Sequence, residues 1–189
     1  MSRTDIINAF IQQYNFKKYL EIGTHRNENF SCINCDKKVS VDPDPEAEAD
    51  FLMTSDNFFA QNKDTFDIIF IDGYHEAHQV YKDIHNALKC LNEHGIIVCH
   101  DCNPTEQIQT IGPENYTVGT LWTGDTWKGF VKYRFESQYM CYVIDEDFGC
   151  GIIDTNIKTD ITEQIIFDIN EMTWDFLEQN RSILLNLQK

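Results

Sequence analysis

The stretch FDIIFIDG, residues 66–73, is a short apolar run that ends in an acidic residue. Two further runs share this pattern, KKYLEIG at residues 17–23 and GIIVCHDCNP at residues 95–104. Short apolar runs bounded by polar residues are typical of strands buried in a parallel sheet. In open α/β sheets, ligands bind beyond the carboxyl ends of such strands. We therefore expect Glu21, Asp72 and Asp101 to line one crevice.

Helical patterns lie between the predicted strands. Residues 1–16 carry isoleucine and aromatic side chains at helical spacing, and residues 75–91 carry the clearest apolar stripe. KKVSVDP at residues 37–43 and DFLMTS at residues 50–55 predict two more strands. This repeated β-α order predicts a doubly wound α/β sheet.

The pattern changes after Asp101. A stretch of about twenty residues rich in Pro, Gly, Asn and Thr predicts a long loop, and loops of this length are usually functional or mobile. A helix over residues 121–135 comes next. Two strands separated by Phe148 and Gly149 then predict an antiparallel hairpin at the sheet edge. The tail predicts one more helix, whose expected packing residues are Met172, Phe176, Ile183 and Leu184.

Length and composition limit the class of protein. The 189 residues are 42% hydrophobic, which suits one sizeable core and not two domains. We expect one domain over residues 1–156 and a helical extension, residues 157–189, packed on it. Because no run approaches the roughly 18 apolar residues of a membrane span and residues 1–16 lack a signal-peptide pattern, we expect a cytoplasmic protein. The oligomeric state stays open.

Charge and cysteine spacing each argue against one class of site. Fifteen Lys and Arg against 31 Asp and Glu give a formal net charge of −16, which disfavours a nucleic-acid partner because such binding depends on basic residues. Cys32 and Cys35, like Cys99 and Cys102, have the spacing of half a zinc site. The gap between the pairs far exceeds the roughly 15–20 residues of a zinc ribbon, so we expect reduced thiols.

The turn after the first predicted strand indicates a cofactor. Glu21 closes the strand, Gly23 follows, and Asp42 ends the next strand at the spacing of an acid that binds ribose hydroxyls. A dinucleotide needs several glycines so that backbone amides can approach the pyrophosphate, and this turn has one. The acids here would repel a diphosphate but not S-adenosylmethionine, which carries a sulfonium, an ammonium and no phosphate. The residues thus favour an adenosyl cofactor without phosphates over NAD.

Several segments resemble one enzyme family. They are YLEIGTHRNENF, VDPDP, MTSDNFF, FDIIFIDGYHEAHQVYKDIHNAL, GIIVCHDCNP, GDTWK and FGCGII. Together they resemble class I S-adenosylmethionine-dependent methyltransferases, in the bacterial and phage branch called methyltransferase domain 24, over most of residues 1–156. The resemblance implies a Rossmann-like, seven-stranded sheet whose last strand is antiparallel, with S-adenosyl-L-methionine as the cofactor.

The resemblance also implies a set of cofactor-binding residues. They are Glu21, Gly23, Thr24, Asp42, Ser55, Asp56 and Asp72. Asp42 would bind the ribose hydroxyls, and Asp72 would face the methionine end. One departure concerns the first loop, where His25 and Asn27 stand near the place of the family's second glycine. Asn tolerates a left-handed conformation better than most residues, so His25 puts the cofactor affinity, not the fold, in question.

Methyl transfer requires an acceptor in line with the sulfonium methyl group and, for a hydroxyl acceptor, removal of a proton. His75, three residues after Asp72, is the candidate catalytic base. Its structural alternative is that it caps the following helix or pairs with Asp72. The candidate acceptor-binding residues are His100, Asp101, Trp127 and Lys128. An aromatic side chain at helical spacing also suits the core, so both interpretations of Trp127 stay open.

A divalent cation is a further possibility. Asp72 and Asp101 suit Mg²⁺, with His100 or Asn103 in support, in an arrangement that resembles cation-dependent O-methyltransferases. The alternative is that Asp101 caps its loop and His100 binds substrate without metal. The expected function is O-methylation of a small-molecule or glycan acceptor. Two other hypotheses are an inactive module that binds the cofactor and, less favoured, an NAD-dependent oxidoreductase.

Overall fold

An eight-stranded sheet forms the centre of the fold. The computed structural model describes residues 1–117, 119–159 and 167–188. The strands are β1 (Lys18–Ile22), β2 (Lys37–Asp42), β3 (Phe51–Leu52), β4 (Phe66–Ile71), β5 (Leu91–Cys99), β6 (Tyr139–Ile144), β7 (Cys150–Lys158) and β8 (Leu187–Gln188). Their order in the sheet is β3-β2-β1-β4-β5-β7-β6-β8.

The sheet is parallel from β3 to β5, and β7 runs antiparallel to both β5 and β6. The predicted doubly wound sheet with an antiparallel strand near its end is therefore confirmed. It has one strand more than expected, because β8 pairs with β6 and covers the predicted edge hairpin. The chain order reverses between β1 and β4, so the crevice typical of such folds opens between these two strands.

Among the residues that the structure describes, five α-helices flank the sheet. They are α1 (Arg3–Tyr14), α2 (Ser55–Gln61), α3 (Ala77–Cys90), α4 (Thr126–Glu136) and α5 (Trp174–Leu185). Ser2 forms a capping box with Asp5 at the start of α1, and the Glu76 side chain accepts a hydrogen bond from the Gln79 N–H at the start of α3. These caps satisfy amides that have no partner inside the helix. No described helix is long and apolar enough to cross a bilayer.

Both faces of the sheet are buried. Along β4, Ile69 and Ile71 belong to one core cluster, while Ile68 and Phe70 belong to the other. Successive side chains of a strand point to opposite faces, so this alternation divides the core into two layers. A continuous apolar strand with helices on both sides is typical of parallel sheets.

The second half of the chain departs from the sequence prediction in two places. Helix α4 begins at Thr126 and not near residue 121, so the preceding loop is longer than expected. In α5, Ile183 is 69% exposed, which contradicts its predicted packing role. Leu184 is buried as predicted, and Leu177 and Leu185 are buried in the core in place of Ile183. Part of the predicted extension, residues 160–166 and 189, lies outside the described residues.

Candidate active site

A cavity of about 580 Å³ opens between the carboxyl ends of β1 and β4. Cavities of this size are typical of cofactor and small-molecule sites. It is lined by every residue predicted to hold the cofactor, namely Glu21, Gly23, Thr24, Asp42, Ser55, Asp56 and Asp72. His75, the predicted base, lines the same cavity. The parallel strands thus bring together residues that are far apart in sequence.

Gly23 is required by the close approach of two strand ends. Its φ of +86° lies in the left-handed region, and a Cβ atom there would lie 2.1 Å from the backbone oxygen of Asp72. Any other residue would therefore push β1 and β4 apart. His25 and Asn27, at φ values of 48° and 59°, also adopt the left-handed conformation, so the loop keeps its curvature without a second glycine.

Asp42 holds this loop in place. Its Oδ2 atom accepts a hydrogen bond from the backbone N–H of His25 at 2.8 Å, and Oδ1 accepts one from the N–H of Asp44 at 2.9 Å. A carboxylate oxygen has two lone pairs, so both oxygens can still accept from a ligand. The acid at the end of β2 therefore shapes the loop as well as lining the cavity.

Glu21 is a buried carboxyl beneath the cavity, 1% exposed. It accepts hydrogen bonds from the Tyr19 hydroxyl, from Asn29 Nδ2 at 2.8 Å and from Thr24 Oγ1 at 3.2 Å. Burial raises the pKa of Glu21 to about 7, against the opposing effect of these hydrogen bonds. The charge of Asp72 adds to the increase.

Two histidines and three acids meet beyond the ends of β4 and β5, and we call this group the acid–histidine cluster: Asp72, His75, His100, Asp101 and Asp147. His75 Nε2 lies 3.2 Å from Asp72 Oδ1, and its Nδ1 lies 3.4 Å from Asp101 Oδ2. His100 Nδ1 lies 3.3 Å from Asp72 Oδ1 and 3.2 Å from Asp101 Oδ1. Each imidazole therefore lies between two carboxylates.

The carboxylates control the protonation of both histidines. Burial lowers the pKa of His75, but its hydrogen bond to Asp72 and the charges of Asp72 and Asp101 outweigh burial and raise that pKa. In the same way, Asp72, Asp101 and Asp147 raise the pKa of His100 well above its ordinary value. The two histidines in turn hold the pKa of Asp72 well below its usual range, although burial opposes this.

The backbone around the cluster is fixed by neighbouring loops. Asp101 has a φ of 57°. The N–H groups of the next two residues, Cys102 and Asn103, donate to the carbonyls of Gly149 and Phe148 in the β6–β7 turn, at 2.9 and 2.7 Å.

The loop before α4 holds the backbone on the His75 side of the cluster. The Asp125 N–H donates to the His75 carbonyl at 3.1 Å, and the Ala77 N–H donates to Asp125 Oδ1 at 2.8 Å. Because Glu76 caps α3, His75 is not a helix cap, but its ring does pair with Asp72, which is the other structural alternative to the base role.

A metal ion could occupy part of this cluster. One ligand atom each from Asp72, His75 and Asp101 lies within 4.8 Å of the others. Asn103 does not take part, because its Nδ2 donates to Asp145 Oδ1 at 2.7 Å and its Oδ1 accepts from Arg181. His100 contacts both acids, which is the supporting place that the sequence suggested for it. The nitrogen atom that lies in the group with the two acids belongs to His75.

Trp127 and Lys128 lie away from the cavity. Trp127 is 1% exposed and packs in the core, which is the structural alternative for an aromatic at helical spacing. Lys128 Nζ pairs with Asp125 at 3.3 Å. Trp122 lines the cavity instead, with its ring centroid 4.9 Å from that of His75 and its Nε1 donating to the Ile111 carbonyl at 2.8 Å. The loop before α4 therefore supplies the aromatic wall that α4 was expected to supply.

Arg3 and Asp147 were not found by sequence reasoning. Arg3 Nη1 lies 3.0 Å from His100 Nε2, and the Arg3 backbone N–H donates to Asp147 Oδ2 at 2.8 Å. Asp147 lies in the β6–β7 turn, at a φ of 50°. Neither residue belongs to a strand end of the predicted crevice, and no local pattern marks them. Their roles depend on tertiary contacts between distant segments.

The comparisons with known proteins agree with this geometry. Residues 20–102 match a family model described as a methyltransferase domain, while no curated protein sequence matches the chain. Cofactor-bound Rv0187 from MTB has a TM-score of 0.62 at 12% identity, over 82% of this chain and 80% of that chain. The SAH-bound Podospora anserina methyltransferase PaMTH1 has a TM-score of 0.59 at 16% identity, over 85% and 80%. The O-methyltransferase from Bacillus cereus in complex with SAH has a TM-score of 0.55 at 13% identity, over 80% and 79%.

At these identities the solved structures show a shared fold. The doubly wound sheet and its antiparallel β7 are the features of the fold that the sequence resemblance implied. The family match covers β1 through β5, which is the part of the chain that builds the cavity floor. Residues 20–102 thus match a methyltransferase domain, and the chain has the fold of these solved methyltransferases.

Proposed function

We propose that this protein is a methyltransferase that transfers the methyl group of S-adenosylmethionine to a hydroxyl oxygen of a small molecule or a sugar. The observation that carries the proposal is His75, which lines the cavity with both ring nitrogens facing carboxylates. A hydroxyl acceptor must lose a proton as it attacks, and a positioned imidazole is the commonest protein group for that task.

The cofactor fits the cavity by charge as well as by shape. Asp42 would accept hydrogen bonds from the ribose hydroxyls, and Ser55 and Asp56 would lie beside the adenine. Asp72 and Glu21 would lie near the sulfonium and ammonium groups, which they attract. The same acids disfavour a dinucleotide, because a pyrophosphate would meet carboxylates where it needs backbone amides.

The reaction balances with the groups present. The acceptor oxygen forms a bond to the methyl carbon while the carbon–sulfur bond breaks, and its electron pair stays on sulfur to give S-adenosylhomocysteine. The hydroxyl proton passes to Nε2 of His75, where the acceptor replaces the contact with Asp72 Oδ1, because Nδ1 is buried beside Asp101. Asp72 and Asp101 stabilise the imidazolium that forms, because both carboxylates already face the ring. His100 and Asp101 support this arrangement from β5 and its loop.

A second candidate keeps the reaction and changes how the acceptor is activated. The ligand atoms of Asp72, His75 and Asp101 suit a divalent cation such as Mg²⁺ in number and spacing. A bound cation would lower the pKa of the acceptor hydroxyl and orient it. The two candidates compete for the same side chains, since a carboxylate that ligates a cation is less able to pair with His75.

Several observations support oxygen as the atom methylated. Bacillus cereus O-methyltransferase shares the fold, and the cluster supplies a base without supplying a thiolate. In the described part of the chain, the cysteines nearest the cluster, Cys99, Cys102 and Cys150, are free and buried. Burial raises the pKa of each of these thiols, which makes them inert packing residues.

The experiment is an acceptor screen that follows formation of S-adenosylhomocysteine with phenols, aliphatic alcohols and sugars. The wild type is compared with His75→Asn and with His78→Asn, a matched change on the exposed face of α3. We expect turnover with at least one hydroxyl acceptor that is lost in His75→Asn and kept in His78→Asn. Cofactor binding without turnover on any acceptor would favour an inactive binding module, and methylation of amines alone would overturn the choice of oxygen.

A further inference from the structure

Arg3 reaches the cavity from the first turn of α1. Its side chain is 30% exposed and lines the cavity together with Glu21 and Asp72. Its backbone N–H donates to Asp147 Oδ2, so the start of α1 is tied to the β6–β7 turn independently of the guanidinium. The side chain is therefore free to serve a ligand while the backbone holds the helix.

The charges around the cavity give Arg3 a special place. Five acids line it: Glu21, Glu28, Asp42, Asp56 and Asp72. Among the described lining residues, Arg3 is the only Arg or Lys. S-adenosylmethionine carries two positive groups, which suit this surface, and one carboxylate, which the acids would repel. Burying that carboxylate without a positive partner would be costly.

The guanidinium has donors to spare. Its Nη1 atom lies 3.0 Å from His100 Nε2 and 3.9 Å from Asp147 Oδ1, and its Nε atom lies 4.0 Å from Asp72 Oδ2. Nη2 makes no hydrogen bond to any residue that the structure describes. Nε also makes no hydrogen bond to a described residue, since 4.0 Å from Asp72 Oδ2 is too long for one. A guanidinium edge with unused donors matches a carboxylate in geometry and in charge.

We propose that Arg3 binds the carboxylate of the methionine moiety of S-adenosylmethionine. This inference rests on the proposed function, in which the cavity holds that cofactor, and it adds a residue outside the strand-end set. It orients the cofactor, because a carboxylate fixed at Arg3 places the amino-acid end beside Asp72 and leaves the opposite end of the cavity, at Ser55 and Asp56, for the adenine.

A purely structural role for Arg3 makes a different prediction. If the guanidinium served only to hold Asp72 and Asp147 in position, its loss would weaken every adenosyl ligand alike. A carboxylate-binding role weakens only ligands that carry the carboxylate. The pair of ligands that separates the two is S-adenosylmethionine and decarboxylated S-adenosylmethionine, which differ only in that group.

The test is calorimetric titration of both ligands, without acceptor, into the wild type, Arg3→Gln, Arg3→Lys and Arg26→Gln. Arg26 is exposed in the loop after Gly23 and does not line the cavity, so Arg26→Gln makes the same change of net charge elsewhere. We expect Arg3→Gln to weaken S-adenosylmethionine at least tenfold, about 1.4 kcal/mol, and the decarboxylated ligand less than threefold. Arg3→Lys should weaken S-adenosylmethionine less than Arg3→Gln does, since lysine keeps the positive charge but cannot donate two parallel hydrogen bonds to a carboxylate.

Equal losses for both ligands in Arg3→Gln, or no loss for either, would overturn this inference and leave the proposed function standing. Failure of the wild type to bind S-adenosylmethionine would overturn both. If Arg26→Gln lost as much affinity for S-adenosylmethionine as Arg3→Gln, the effect would be one of net charge, and this result would also count against the inference. Thermal unfolding of each variant, with Arg3→Lys as the milder change, shows that the comparison is made on folded protein.

Discussion

Oδ1 of Asp72 lies 3.2 Å from Nε2 of His75 and 3.3 Å from Nδ1 of His100, so one carboxylate oxygen serves two imidazoles. Only one of these rings faces the cavity, because His75 lines it while His100 is buried at 4% exposure. His100 is therefore a buried partner of Asp72, and His75 is the ring that can exchange a proton with an acceptor. This arrangement determines how the reaction should depend on pH.

The first prediction concerns the pH dependence of kcat. Asp72 and Asp101 raise the pKa of His75, so a larger fraction of this residue carries a proton, and cannot act as a base, than of an ordinary histidine at the same pH. The rate should therefore rise with pH through a pKa above 6.5 and level off once His75 is neutral. We expect His75→Asn to abolish this rise and to lower kcat about 10²- to 10⁴-fold.

The control for this profile is His78→Asn, which should reproduce the wild-type curve because His78 is exposed on α3. Asp101→Asn gives an independent check. It removes one of the charges that raise the pKa of His75, so the rising limb should move to lower pH. If the rise of kcat with pH kept its wild-type position in both His75→Asn and Asp101→Asn, a group other than His75 would control the rate.

The second prediction concerns removal of metal. The carboxylates that would hold a cation already face His75 and His100, and these contacts satisfy them without metal. We expect kcat in excess EDTA to stay within about twofold of kcat without EDTA. Loss of activity in EDTA, restored by Mg²⁺ in the wild type but not in Asp101→Asn, would instead assign the cluster to a cation.

The third prediction concerns Gly23 and uses Gly119 as its control. Both have positive φ, +86° and +92°, but a Cβ atom at Gly119 would meet no atom of the described residues within 4 Å, while one at Gly23 would collide with Asp72. Gly119→Ala should cost only the conformational term, about 1 kcal/mol. Gly23→Ala should cost more than 2 kcal/mol and abolish binding of S-adenosylhomocysteine. Urea unfolding and titration of both variants test this, and similar losses at the two positions would show that the close approach is not limiting.

The sequence predicted the fold and the cavity floor for physical reasons. Buried parallel strands have a continuous apolar signature, and the polar residues that end them meet at one edge of the sheet. Glu21 and Asp72 could be placed in the cavity on that argument alone, but Asp101, predicted on the same argument, does not line the cavity and lies against His75 and His100. Gly23 could be placed too, because a tight strand-to-helix turn needs a residue that tolerates positive φ.

The cavity wall was harder to predict, because it depends on contacts between distant segments. Trp122 and Trp127 stand five positions apart, and only the start of α4 decides which one packs in the core. Ile183 was predicted to be buried because it is apolar and at helical spacing. That prediction was wrong because such spacing defines the buried face of a helix only approximately. Arg3 approaches the cluster because α1 crosses to the β6–β7 turn, and nothing in its local sequence indicates that contact.

The fourth prediction concerns the effect of Glu21 on stability. Burial raises the pKa of this carboxyl to about 7, compared with 4.5 as the ordinary value. A raised pKa in the folded state means that the folded protein holds the proton more tightly than the unfolded chain does. The stabilisation is complete below pH 4.5 and is lost as the pH rises from 4.5 to 7. Above pH 7 the folded protein carries a buried negative charge, at a cost on the order of 3 kcal/mol.

Glu21→Gln removes this charge and keeps an oxygen that can accept from Tyr19 and Asn29. The free energy of unfolding of the variant, relative to the wild type, should therefore increase by about 2–3 kcal/mol between pH 4.5 and pH 8. Urea unfolding at four or five pH values measures it. Glu28→Gln is the matched control, because Glu28 lines the same cavity with an exposed side chain, and its difference from the wild type should stay constant with pH. A constant difference for Glu21→Gln as well would mean that Tyr19, Asn29 and Thr24 keep Glu21 ionised in the folded protein, and that the buried carboxylate offers a full negative charge to the cofactor at every pH in this range.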